Sequence, residues 1–197
     1  MKRALLTAAG TILVLVLGAG LFVASGLYDI GADRPHTRWM FAVLDTLRER
    51  SVAGRARNIQ VPPLKSAERL AEGAEHYSAM CTECHLAPGM PDTALRQGLM
   101  PKPPDLSQSK IDPAEAFWVI KHGIKATAMP AWGKTHDDEE IWNLVAFVEQ
   151  LPMMSPEQYR AATRAAVSEH GSMPEDEDGR AQEHDHGHAH ADALRDH

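Results

Sequence analysis

The chain opens with an uncharged, mostly apolar run from Ala4 to Tyr28, preceded by Lys2 and Arg3 and ended by the first acid at Asp29. A helix of that length can cross a bilayer, which needs about 20 apolar residues. A cleaved signal sequence has a shorter apolar stretch of about 7 to 15 residues and a small-x-small cleavage site, for which Val23-Ala24-Ser25 is a poor match. Length therefore favours a retained anchor over a cleaved signal, and either one exports the remainder of the chain. With Lys2 and Arg3 on the cytoplasmic side, that remainder is expected on the periplasmic side of the inner membrane. Trp39, Met40, Val43, Leu44 and Leu47 then recur at helical spacing and predict an amphipathic helix from about Thr37 to Arg50. This helix either packs on the domain as a spacer or lies on an anionic membrane surface through Trp39 and the neighbouring arginines.

Val61-Pro62-Pro63 marks a boundary, and Ser66 reads as the N-cap of a helix that reaches Cys81, with Leu70, Gly73, Ala74 and Tyr77 on its inner face. From Ala87 to Ser109 the chain is too rich in Pro and Gly for helix or strand. Asp112 with Pro113 and Glu115 opens the next helix, and Gly123 closes it. Asp137 and Glu140 predict a capping box ahead of Ile141, Leu144, Val145 and Val148, and Ser155-Pro156 with Gln158 starts a last helix to about Val167. β-alternation is lacking, so the expected fold class is all-α. The expected division is a membrane anchor at 1–28, an arginine-rich juxtamembrane segment with the amphipathic helix at 29–60, a helical domain at 61–168 and a tail at 169–197.

Composition adds that 197 residues with 44% hydrophobic content suffice for one ordinary core, expected around Trp118, Trp132 and Trp142. The net charge of −7 resides in the tail: Ser168 to His197 carries nine acids and two arginines, and the remainder is neutral. Bases are scattered with no aromatic-interleaved patch, which argues against a nucleic-acid partner. Glu175-Asp176-Glu177-Asp178 and the alternating His184, His186, His188 and His190 belong to a tail with too few apolar residues to fold. Those histidines suit an imidazole-binding divalent metal, against the alternative of a merely solvated tail.

Two cysteines are present, in Cys81-Thr82-Glu83-Cys84-His85. Cys-x-x-Cys-His is the attachment pattern for haem c: thiols one helical turn apart each add to a porphyrin vinyl group, and the adjacent imidazole meets the iron. A thioredoxin-like pair needs a βαβ context and a zinc site needs a second ligand pair, both absent. A chance or disulfide-only pair in an oxidising compartment stays as the alternative, against which export, the preceding helix and the lack of any other cysteine favour haem. One covalent haem c is therefore expected on Cys81, Cys84 and His85. For the opposite axial position, Met90 and Met100 lie in the loop that leaves His85, whereas Met129 lies in the connection between two well-signalled helices. Met129 is the expected haem-iron ligand beside His85, with Met100, a histidine or an open position as alternatives. His76 and His122 are read as ordinary structural or surface histidines.

Gly73-x-x-x-Tyr77-x-x-x-Cys81-x-x-Cys84-His85, then Pro104-Asp105-Leu106, Ile124 to Trp132 and Ile141 to Val148, in that order and spacing, resemble a class I monohaem cytochrome c over about residues 65 to 152. The resemblance implies that Gly73 and Tyr77 cross the C-terminal helix near Trp142 and that the Pro88 carbonyl accepts the proximal imidazole N–H. An iron with His and Met ligands has no open position, so the chain is expected to exchange single electrons with a redox donor and acceptor and not to be itself an enzyme. With acids outnumbering bases in the domain and no conspicuous lysine ring, docking is expected through a mainly apolar patch rimmed by Lys102, Lys121, Lys125 and Lys134. Three functions stay open: a tethered carrier between a respiratory donor complex and a terminal oxidase or reductase, a cytochrome subunit of a dehydrogenase or oxidase, and a haem protein with a metal-capturing His tail.

Overall fold

The computed structural model describes residues 1–170, with side chains described to residue 166, and all regular structure among the described residues is helical. The tail with His184, His186, His188 and His190 lies outside the described residues. Helix α1 (Lys2–Ala24) has no buried residue and is long and apolar enough to cross a membrane. α2 spans Arg38–Ala56, one and a half turns beyond the expected end at Arg50. The extension has a packing cause. Ser51 to Ala56 contains good helix formers, and Val52 and Ala56 are buried where α2 rests on α6.

The domain itself is built from α3 (Ala67–Met80), α4 (Thr82–His85), α5 (Ala94–Gln97), α6 (Pro113–His122), α7 (Asp138–Gln150) and α8 (Pro156–His170). Its helix starts follow the local chemistry. The Ser66 hydroxyl accepts the Arg69 N–H at 3.2 Å, and the Asp112 carboxylate accepts the Ala114 and Glu115 N–H groups ahead of Pro113. Asp137 and Glu140 form the capping box, and Ser155 with Gln158 caps α8 reciprocally. The loop after the motif contains one helical turn that the sequence pattern does not announce. α5 forms because Thr93 caps the Arg96 N–H at 3.1 Å and Arg96 pairs with Asp92 at 2.6 Å.

α7 is the central helix, buried at every position from Ile141 to Val148. One side packs with Tyr77, Leu106, Leu151 and Tyr159, and the other with Leu64, Ala116 and Phe117. Of the three clustered tryptophans, Trp142 is buried and stacks on Phe117 at 4.1 Å between centroids, whereas Trp118 and Trp132 are half-buried.

α3 crosses α7 at Gly73. A Cβ there would stand 2.1 Å from the Asn143 carbonyl oxygen and 2.9 Å from the Phe147 Cβ, so the helices meet with no room for a side chain. The contact lies at Asn143 and Phe147, one to five residues beyond the Trp142 expected from the resemblance. Buried Asn143 is satisfied on both ends of its amide: Oδ1 accepts from Arg69 at 2.9 Å and Nδ2 donates to Glu72. Gly73→Ala must push two packed backbones apart, and overpacking of this kind costs about 1–3 kcal/mol or more. The expected outcome is a drop of at least about 2 kcal/mol in urea-unfolding stability, and a change under about 0.5 kcal/mol would contradict the close crossing.

Candidate functional site

The end of α3 delivers the motif. The Cys81 N–H closes the last turn on the Tyr77 carbonyl at 3.0 Å, and the Cys81 carbonyl then accepts the N–H groups of Cys84 and His85 at 3.1 and 2.8 Å. Cys81 and Cys84 are free thiols, both half-buried, and lie one turn apart as a two-point attachment requires. Burial, with Cys84 adding to it, pushes the Cys81 thiol up to about 12, so it is uncharged at neutral pH.

Leu86 ends α4 at φ 61, a left-handed conformation that costs a branched residue free energy and must be held from outside. Tyr77 holds it: its hydroxyl donates to the Leu86 carbonyl at 2.6 Å in the buried core. The same tyrosine lies 5.6 Å from Phe147 and 6.4 Å from Tyr159. Thr82 ties the motif further by donating to the Tyr77 carbonyl at 3.1 Å and sharing a bond with the Tyr159 hydroxyl at 3.0 Å.

His85 is oriented by its Nδ1, 3.0 Å from the Pro104 carbonyl oxygen. A carbonyl only accepts, so Nδ1 carries the proton and Nε2 keeps its lone pair, the tautomer a metal ligand needs. Burial lowers the imidazole pKa, the Pro104 bond opposes that and Arg96 adds to the lowering, which favours the neutral ring. The expectation that Pro88 accepts this N–H is therefore corrected. Pro104 is in place because the Leu106 N–H returns to the His85 carbonyl at 3.0 Å and the Arg96 Nε donates to the neighbouring Pro103 carbonyl at 3.0 Å. Arg96 is thus a positioning residue that sequence reasoning missed. Its Asp92 partner four residues earlier was the available signal.

Met129 sits in a turn that folds on itself after α6. Gly123, at φ 64, is pressed against it: a Cβ there would lie 2.7 Å from the Met129 carbonyl oxygen and 2.8 Å from the Ala131 nitrogen. The Ile124 N–H donates to the Met129 carbonyl at 3.2 Å and the Met129 N–H to the Thr127 hydroxyl at 3.1 Å, which fixes the backbone of the half-buried methionine. A cavity of about 730 Å³ lies between α2, which lines it with Leu44, Leu47 and Val52, and the turn that leads to Met129; Cys81, Cys84, His85 and Met129 are not among its lining residues. Met100 and Pro101 line it on the strand of chain that runs to Pro104, and Ile124 and Thr127 line it on the Met129 turn. Met90 instead packs against the core as filler.

His76 keeps its Nδ1 buried without a partner and meets His136 edge-on at 5.5 Å, with Trp132 at 5.4 Å on the other side of His136. His122 is exposed beside Trp118. Two of the four expected docking lysines are engaged within the chain, Lys102 by Asp92 and Lys121 by Asp138.

Residues 68–148, from the start of α3 to the end of α7, match the family model for cytochrome C oxidase, cbb3-type, subunit III. This segment is a cytochrome c domain. Domains of this family carry covalent haem c and transfer electrons, and the match agrees with the class I resemblance in the sequence. No curated protein and no solved structure matches the chain. The cytochrome c domain presents residues that fit the group: two thiols one turn apart and an imidazole with Nε2 free. Tyr77→Phe leaves the buried Leu86 carbonyl without its donor, so stability is expected to fall by about 1–3 kcal/mol in a denaturant titration; an unchanged midpoint would show that Leu86 is held by other contacts.

Proposed function

We propose that this protein is a membrane-tethered, one-haem electron carrier, with α1 as a retained anchor and the cytochrome c domain on the periplasmic face of the inner membrane. The observation that carries the reading is the set formed by Cys81, Cys84 and His85 with Pro104 bonded to the imidazole at 3.0 Å. In this reading Cys81 and Cys84 would hold the haem through thioether bonds, and Nε2 of His85 and the thioether of Met129 would hold its iron. When bound, the haem would supply a reversible one-electron couple, which two protein ligands to the iron would suit to electron exchange.

The chain's own residues orient and shield. Arg96 fixes Pro103 beside the carbonyl that holds His85, Tyr77 holds the strained exit at Leu86, and Gly123 lets the Met129 turn close. The donor is proposed to be a respiratory complex and the acceptor a terminal oxidase or reductase. With Lys102 and Lys121 engaged, Lys125 and Lys134 are the cations left for the rim of a mainly apolar docking patch.

A second reading is favoured by the match to an oxidase subunit model: the same domain held permanently as a cytochrome subunit of a membrane oxidase, with α1 and α2 as its attachment elements. Purification at native abundance separates the two, since a carrier leaves the membrane alone in mild detergent and a subunit brings its complex. For the ligand set, Met129→Ala is expected to abolish the weak near-infrared sulfur-to-iron band and to lower the reduction potential by on the order of 0.1 V. Persistence of the band would remove Met129 as the ligand.

A further inference from the structure

α2 changes character along its length. In its distal half Val52 and Ala56 are buried, and Arg55 lies over the Trp118 ring at 5.8 Å. In its proximal half Trp39, Val43 and Leu47 are 65%, 57% and 64% exposed. These three recur every four residues and centre roughly 160° around the helix from Val52 and Ala56, at 3.6 residues per turn. Trp39 and Val43 therefore face away from the domain, and Leu47 stands at the rim of the cavity between α2 and the domain. The row stops where docking begins, because Arg50, Ser51 and Gly54 supply no large apolar group there. A contiguous apolar row with one end free of the domain marks a surface for another phase or molecule.

The link from α1 says which. Fully extended, residues 25–37 would reach about 45 Å, but the segment folds back: the Tyr28 hydroxyl and His36 Nδ1 lie 3.0 Å apart, Asp29 accepts the Gly31 N–H at 2.8 Å, and Arg34 pairs with Asp29 at 3.4 Å. The proximal half of α2 is thus held near the point where the apolar α1 ends. Arg38 precedes the row and Arg50 flanks it, and among the described residues neither has an ion pair. A tryptophan with an aliphatic row and unpaired arginines, next to a membrane-length helix, matches an interfacial helix on anionic lipid.

We propose that the proximal half of α2 lies in the headgroup region of the membrane that α1 crosses, with Trp39, Val43 and Leu47 at the acyl boundary and Arg38 and Arg50 on anionic headgroups. This rests on the tethered reading above. Because the distal half is packed on α6, the same helix holds the cytochrome c domain flat against the membrane in one orientation, so that a carrier or subunit meets its partners without rotational search.

The test uses the full-length, haem-loaded protein in nanodiscs of phosphatidylcholine and phosphatidylglycerol, with a nitroxide on Val43→Cys and, for comparison, on Glu157→Cys at the exposed start of α8. Both positions are exposed, and the haem spectrum reports that each variant is folded. The expected result is that molecular oxygen relaxes the label at position 43 several-fold more than an aqueous nickel chelate does, with the reverse order at position 157. A label at 43 that behaves like the one at 157 overturns the proposal. So does a label shielded from both reagents, which assigns the row to a protein contact. Retention of the unlabelled protein in carbonate-washed membranes reports on the tether separately: loss from the membrane defeats the tethered reading, whereas retention with a water-exposed label defeats the α2 proposal alone.

Discussion

The contact on which the rest of the structure depends is the crossing of α3 on α7 at Gly73. With a Cβ excluded by the Asn143 carbonyl at 2.1 Å, the two backbones approach as closely as helices can. That proximity sets the height and direction of α3 and hence where Cys81, Cys84 and His85 leave it. It also explains the polar set inside an otherwise apolar seam. Asn143 is buried at the crossing, and Arg69 and Glu72, one turn before and next to Gly73, satisfy it while Arg69 also reaches Glu139 at 2.6 Å. A buried amide with both ends paired adds register to a contact that apolar packing alone leaves free to slide.

From that crossing a chain of oriented groups runs to the imidazole. Phe147 packs on Tyr77, Tyr77 holds the Leu86 carbonyl, Leu86 turns the chain at φ 61, and the loop returns so that Pro104 meets His85 Nδ1. The links from Phe147 to Leu86 are buried, and the last one, from Pro104 to His85, is short but lies at an exposed proline. An electron carrier works best when its ligands move little between oxidation states, and rigid packing around the ligand loop supplies that. On the opposite side Gly123 plays the corresponding part for Met129, again through a contact too close for a Cβ.

Much of this was legible in the sequence, because local chemistry decides it. Ser66, Asp112, Asp137 and Ser155 announced four helix starts, Gly123 announced a stop, and the motif pointed to the cofactor that the family implies. What escaped were features set by distance in space. Pro88 and Pro104 are both prolines near His85 in the chain, and only the fold shows that the loop brings the later one to Nδ1. Arg96 reads as one more charge in a Pro-rich stretch until its Nε is seen on Pro103. α2 extended past Arg50 because of burial against α6, which no periodicity within α2 reveals, and Trp39 and Val43 turned out to face away from the domain. The lysines expected at a docking rim were half spent on Asp92 and Asp138, partners that lie 10 and 17 residues away along the chain.

The family match, the free Nε2 of His85 and the fixed Met129 turn support the proposed reading of a centre that passes electrons. The most direct measurement is carbon monoxide binding to the reduced, haem-loaded protein, followed in the Soret region after rapid mixing. If His85 and Met129 fill both axial positions, the reduced spectrum stays unchanged on the mixing timescale. Rapid and complete formation of a carbon monoxide adduct would mean an open or easily displaced position, and would contradict an electron carrier in favour of a ligand-binding haem.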